Sequence, residues 1–120
     1  MEKLLSTNPG MLGEGLTLKE KQYTFTDGSR LDLLLYDAGT DQVIVVEIKK
    51  GHVGREALTQ IKHYMKWCKQ ELGYSKIKGI IVCPGILPYF ESELLAAKTD
   101  NVFVRTYGWR LDINGGTTGG

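Results

Sequence analysis

Asp32, Glu47 and Lys49 are the residues of this 120-residue chain whose types and spacing suit chemistry. Glu47 and Lys49 are two apart at the end of the apolar run Val43 to Ile48 (VIVVEI). Read as a strand, that run alternates faces, so the pair points to the same side as Val43 and Val45. Asp32 sits between Leu31 and Leu33 in a second apolar run, Leu31 to Tyr36 (LDLLLY), and Asp37 to Gln42 (DAGTDQ) reads as the turn joining the two. Pairing in register from that turn brings Asp32 opposite Glu47. Two carboxylates that close repel each other, and proteins tolerate them chiefly where a cation lies between. Hard oxygen donors with no His or Cys nearby select Mg²⁺ or Mn²⁺. An ammonium beside them, Lys49, would hold an attacking water or neutralise a pentacovalent phosphate. The chemistry this constellation suits is metal-assisted phosphodiester hydrolysis.

The elements that must position these residues follow from periodicity. Between Arg55 and Leu72 apolar side chains recur at three and four (Leu58, Ile61, Met65, Cys68, Leu72), the stripe of a helix, and Gly73 stops it. Gln60 and Tyr64 share a face beside that stripe, and Lys62, Lys66 and Lys69 form a basic row on another, suited to tracking a phosphate backbone. Ile77 to Cys83 is a buried strand ended by Pro84 and Gly85, Glu91 to Lys98 a second helix, and Val102 to Tyr107 a last strand. At the start, Met1 to Leu5 reads as the end of a helix broken at Asn8, Pro9 and Gly10. Tyr23 to Phe25 reads as the first strand, before the Asp27, Gly28, Ser29 turn. The order predicts an α/β fold with a mixed sheet flanked by helices, the long helix carrying the chain to a parallel strand.

Composition limits the alternatives. Apolar residues are 42% and charged residues 24%, ordinary globular usage. One domain over 1–114 is expected, with the glycine-rich 115–120 as a flexible tail. Apolar runs fall short of the ~18 residues a membrane helix needs, and residues 1–6 lack a signal-peptide core. We therefore expect a cytoplasmic protein with no membrane partner. Cys68 and Cys83, far apart and without CxxC spacing, are expected as reduced thiols rather than metal ligands or a disulfide. The net charge of +1 conceals a segment, Lys49 to Lys78, with eight basic and two acidic residues, against seven and twelve elsewhere. Such an imbalance suits a polyanionic partner, with Lys50 and Arg55 as further phosphate contacts.

The Asp32, Glu47, Lys49 pattern resembles that of the PD-(D/E)xK nuclease superfamily. Its setting, GEGLTLKEKQYTFTDGSRLDLLLYDAGTDQVIVVEIKKG followed by ALTQIKHYMKW, is similar to the nuclease domain of NucS-type (EndoMS) endonucleases over roughly residues 8–72. The resemblance implies a restriction-endonuclease-like core and an active site of Glu14, Asp32, Glu47, Lys49, Gln60 and Tyr64. It implies Mg²⁺ or Mn²⁺ bound by Asp32, Glu47 and the Ile48 carbonyl, with Glu14 assisting at a second position. Lys49 and Gln60 would orient the nucleophile or the scissile phosphate. Tyr64 joins Lys50, Arg55, Lys62, Lys66 and Lys69 as nucleic-acid contacts. The partner implied is duplex or branched DNA, in repair, cut to 5′-phosphate and 3′-hydroxyl ends. Full-length members add a dimerisation and DNA-binding domain and usually a sliding-clamp motif. The expectation is therefore an excised nuclease domain or a minimal relative, acting as a homodimer or fused to a DNA-binding domain. The competing readings are a restriction-type or junction-resolving nuclease, an RNase, and a non-catalytic DNA-binding or assembly module on the same fold.

Overall fold

In the computed structural model, which describes residues 1–107, the two apolar runs flanking the Asp37–Gln42 turn pair as the expected hairpin. β1 (Leu16–Lys21), β2 (Leu33–Asp37) and β3 (Gln42–Ile48) form an antiparallel meander. β4 (Ile77–Cys83) and β5 (Val102–Thr106) continue the sheet in parallel with β3, in the order β1-β2-β3-β4-β5. The sheet is therefore mixed, and the helix between β3 and β4 makes the parallel crossover that the sequence called for. That helix, α2 (Arg55–Leu72), ends at Gly73 in the left-handed conformation (φ 78°), which glycine adopts without a Cβ clash. Ahead of the sheet lies α1 (Glu2–Thr7); between β4 and β5 lies α3 (Glu91–Ala96), continued by a tight turn through Ala97–Asp100. Residues 115–120 and the boundary at 114 fall outside the described residues.

The apolar alternation divides the core into two layers. Val43 and Val45 face α2 with Leu34, Ile61, Cys68 and Ile81. Ile44 and Val46 face the other way with Leu33, Leu35, Ile80 and Val82, covered by Leu5 of α1. Central strands read apolar on both faces for this reason. α2 approaches β4 closely at Gly79, where a Cβ would lie 2.8 Å from Met65 Sδ and 3.0 Å from Ile61 Cδ1. Both cysteines are free and buried, and burial pushes the Cys68 thiol up to about 12. Among the described residues no helix is long and apolar enough to cross a membrane.

The first strand is not Tyr23 to Phe25. β1 occupies the charged stretch LTLKEK, an edge strand almost wholly exposed, as edges protected by Lys and Glu often are. Gln22, at φ 54°, turns the chain out of β1. Tyr23 and Phe25 then pack beneath α2, with Phe25 only 2% exposed and its ring 6.0 Å from that of Tyr64. Pairing here shrinks to an isolated antiparallel bridge, Thr24 with Arg30, and the aromatic β-propensity reports burial more than a strand.

The tight α2–β4 contact gives the first prediction. Gly79→Val should destabilise the fold by about 1–3 kcal/mol by overpacking Ile61 and Met65. Urea denaturation of the two proteins measures the difference, and an unchanged midpoint would show that α2 can lift off β4 without penalty.

Candidate active site

The β2–β3 ladder runs from Asp37 opposite Gln42 to Leu33 opposite Val46, so the next pair in register is Asp32 and Glu47. The hairpin thus brings the two carboxylates together. Asp32 is half-buried, and its Oδ2 accepts the Ile48 N–H at 2.7 Å, a charge-assisted bond that fixes it against the end of β3. Glu47 is 4% exposed, its Oε2 lies 3.6 Å from Lys49 Nζ, and its Oε1 is buried with no hydrogen-bond partner. Burial first, and then the neighbouring Asp32, push the Glu47 carboxyl up to about 8; the Lys49 charge offsets only part of this.

α2 supplies the other side. Lys49 Nζ donates to Gln60 Oε1, and Gln60 Nε2 donates to the Tyr64 hydroxyl at 2.9 Å. An ammonium can only donate, so the amide must turn its oxygen to Lys49 and its nitrogen to Tyr64. Tyr64 is 4% exposed, inside the α2 stripe rather than beside it, and burial, followed by the Glu47 charge, raises its hydroxyl pKa. It holds Gln60 from behind. The Tyr107 hydroxyl, donating to the Lys49 carbonyl at 3.0 Å, fixes the backbone on the opposite side. Tyr107 was legible only as the end of a strand, because nothing local marks a contact 58 residues away.

The loop that delivers Asp32 is tied to α2. Glu71 accepts from the Tyr23 hydroxyl (2.8 Å) and from the Thr26 amide and hydroxyl (both 2.9 Å). Asp27 accepts from the Ser29 amide and hydroxyl through Oδ1, and its Oδ2 pairs with His63 Nε2 at 2.9 Å. The Ser29 bonds first, then His63, hold Asp27 down at about 2. His63 is therefore partnered, and it also contacts Trp67 Nε1. Ser29, Lys49, Thr59, Gln60, His63 and Tyr64 line an open cleft of about 760 Å³ on this side.

The other expected site residues are spread around this centre. β1 is antiparallel to β2 and begins with Leu16 opposite Asp37, so the chain enters it at the end of β2 remote from Asp32. Glu14, exposed in the turn just before, stays apart. Among the described residues no third Asp, Glu, His or Cys joins Asp32 and Glu47 in a metal-holding group. Arg55 lines the same cleft and is engaged there by Glu93, with NH2 2.5 Å from Oε1, while Lys62 is engaged by Asp100 at 2.9 Å. On a helix turning about 100° per residue, Lys62 is about 160° from both Gln60 and Tyr64, and Lys69 about 180° and 140° from them. Lys66 lies about 60° from His63 and about 20° from Thr59, both in the cleft lining, so only part of the basic row turns away from the site. Lys50 is exposed just beyond it.

Residues 1–106 match the profile described as "Endonuclease NucS C-terminal domain". The chain belongs to that family. It is 27% identical over 86 residues to the Endonuclease NucS of Methanocaldococcus jannaschii, a match covering 72% of this chain and 32% of the relative. The chain thus spans about a third of the length of the curated relatives it matches. Its fold is similar to that of a repair endonuclease from Pyrococcus abyssi (TM-score 0.72, 23% identity, 88% of this chain and 44% of that one). An equal TM-score, at 21% identity and covering 88% and 42%, relates it to EndoMS in a complex with double-stranded DNA. These likenesses bear out the α/β fold and the NucS-type resemblance.

The buried carboxylate carries a prediction in chelator. Folded Glu47 titrates near 8 against 4.5 for an ordinary glutamate, so between these values the folded state holds the extra proton. Its contribution to stability therefore falls as pH rises through that window. Glu47→Gln should exceed the parent in stability by about 1–3 kcal/mol above pH 8, the gain fading towards pH 4.5. Urea titrations across pH measure it; a difference constant with pH would mean that Glu47 does not titrate abnormally.

Proposed function

We propose that this domain hydrolyses DNA phosphodiester bonds with Mg²⁺ or Mn²⁺ held by Asp32 and Glu47, as a member of the PD-(D/E)xK superfamily. The observation that carries the reading is Glu47 Oε1, a carboxylate oxygen buried beside Asp32 with no hydrogen-bond partner. Such an oxygen needs a proton or a cation, and an all-oxygen donor set suits a hard divalent ion. Two carboxylates fit Mg²⁺, which usually keeps several of its waters, and the Ile48 carbonyl is a third donor in this proposal. When bound, the ion would supply charge neutralisation at the phosphate and a more acidic water. Family membership and the repair-endonuclease and double-stranded DNA descriptions of similar structures support a DNA substrate.

The chain's own residues divide the work. Asp32 is pre-set by the Ile48 amide, so its free oxygen is oriented before any ligand arrives. Lys49 holds its ammonium between Glu47 and Gln60, where it can orient the attacking water or stabilise charge building on the phosphate. Gln60, backed by Tyr64, restricts that ammonium to one direction. The homodimer or fused DNA-binding partner belongs to the same proposal, the match covering 32% of the relative's length.

The deciding experiment is a plasmid-nicking and oligonucleotide panel with Mg²⁺, Mn²⁺ and EDTA. We expect nicking of DNA in either metal, none in EDTA, and loss with Asp32→Asn and Glu47→Gln. Cleavage of RNA alone would move the substrate, and no cleavage together with no Mg²⁺ uptake by calorimetry would favour a non-catalytic module.

Lys49→Ala tests the division of labour. It should lower kcat about 10²–10³-fold while duplex affinity changes less than about threefold, because its charge serves the transition state. Equal losses in both would make Lys49 an ordinary backbone contact.

A further inference from the structure

A second cleft, of about 930 Å³, opens on the other face of the sheet, against α1. Asp32 and Ile48 lie in its lining, so it meets the proposed metal site from the side opposite Gln60. Lys3 from α1, Lys21 from the end of β1 and Lys50 from just beyond β3 also line it. These three cations, far apart in sequence, converge on one opening. All three are exposed, and among the described residues no carboxylate lies within ion-pair distance of their ammonium groups. The acid beside them, Glu2, is occupied, with both of its oxygens accepting from Gln22 Nε2 at 3.0 and 2.8 Å. That bond joins α1 to the chain leaving β1, setting Lys3 and Lys21 on connected walls.

We propose that Lys3, Lys21 and Lys50 form the phosphate track, along which a DNA backbone crosses the α1-side cleft to Asp32. The inference rests on the hydrolase reading above and adds the path of the substrate. Two arrangements favour it over the basic row of α2. Lys62 and Arg55 are already paired with Asp100 and Glu93, and Lys62 and Lys69 lie about 160° and 140° around the helix from Tyr64. Unpaired ammonium groups around a concave opening attract a polyanion most strongly, and each phosphate they neutralise releases condensed counterions.

The test is binding of a fluorescein-labelled 20-base-pair duplex by full-chain protein in the non-cleaving Glu47→Gln background, followed by anisotropy at several salt concentrations in EDTA. Each of Lys3→Ala, Lys21→Ala and Lys50→Ala should reduce the slope of log affinity against log salt by about 0.9, and the triple variant by about three times that. Lys66→Ala with Lys69→Ala should leave the slope within error. Circular dichroism confirms folding, and the triple Lys→Gln variant, matched for side-chain length, must give the same loss. A triple variant with the parent's slope, a slope change from the α2 lysines instead, or no salt-dependent duplex binding by the parent would each overturn the track. Full salt dependence in a chain whose Glu47 form never cleaves would keep the track and remove the hydrolase reading.

Discussion

The repulsion between Asp32 and Glu47 is the constraint around which this domain is arranged. The carboxylates sit at adjacent strand ends, and one Glu47 oxygen is sealed from water without a partner. Nothing in folding alone favours that placement, since a buried carboxylate without a hydrogen bond is among the more destabilising groups a core can hold. The surroundings accommodate it on each side: a main-chain amide on Asp32, an ammonium beside Glu47, an amide and a phenol holding the ammonium. Strain of this kind concentrates where ligands bind, because a site made comfortable without its ligand gains less from it.

Much of this was legible in the chain itself. The hairpin register could be read from Leu31–Tyr36 and Val43–Ile48, because a two-residue period and a short connection leave one pairing that buries both apolar sets. α2 was equally clear from Ile61 and Cys68. What escaped were side-chain placements decided by a neighbour distant in sequence. Tyr23 and Phe25 have the composition of a strand, yet α2 claims them, and a charged stretch takes the edge instead. Tyr64 looked like a boundary residue because its burial depends on Phe25. The basic row of α2 was real as a row, but a helix has several faces outside the core, and periodicity does not say which one borders the site.

Polar contacts also decide how the loop before Asp32 is held. Residues 23–31 fold back on themselves through main-chain bonds, Leu31 to Tyr23 at 3.0 Å and Phe25 to Ser29 at 2.7 Å, around an isolated bridge between Thr24 and Arg30. Glu71 and His63, two turns apart on α2, each grip one part of that loop. The same helix thereby sets Lys49 through Gln60 and Asp32 through this loop, so its seating on Gly79 governs both halves of the site.

The loops that follow β3 and β4 are stitched together as well. Val53 donates to the Gly85 carbonyl at 3.1 Å, and Leu87 donates to Val53 at 3.0 Å. The His52 ring occupies the space where any side chain at residue 85 would stand, 2.5 Å from that missing Cβ. The segment leaving Lys49 is thus a buttress, tied to the chain that leaves the neighbouring strand. Across the α1-side cleft the facing wall is α1, six residues long and fastened at its start by Glu2 to Gln22, so one rim is held by main-chain bonds and the other by a side-chain clasp.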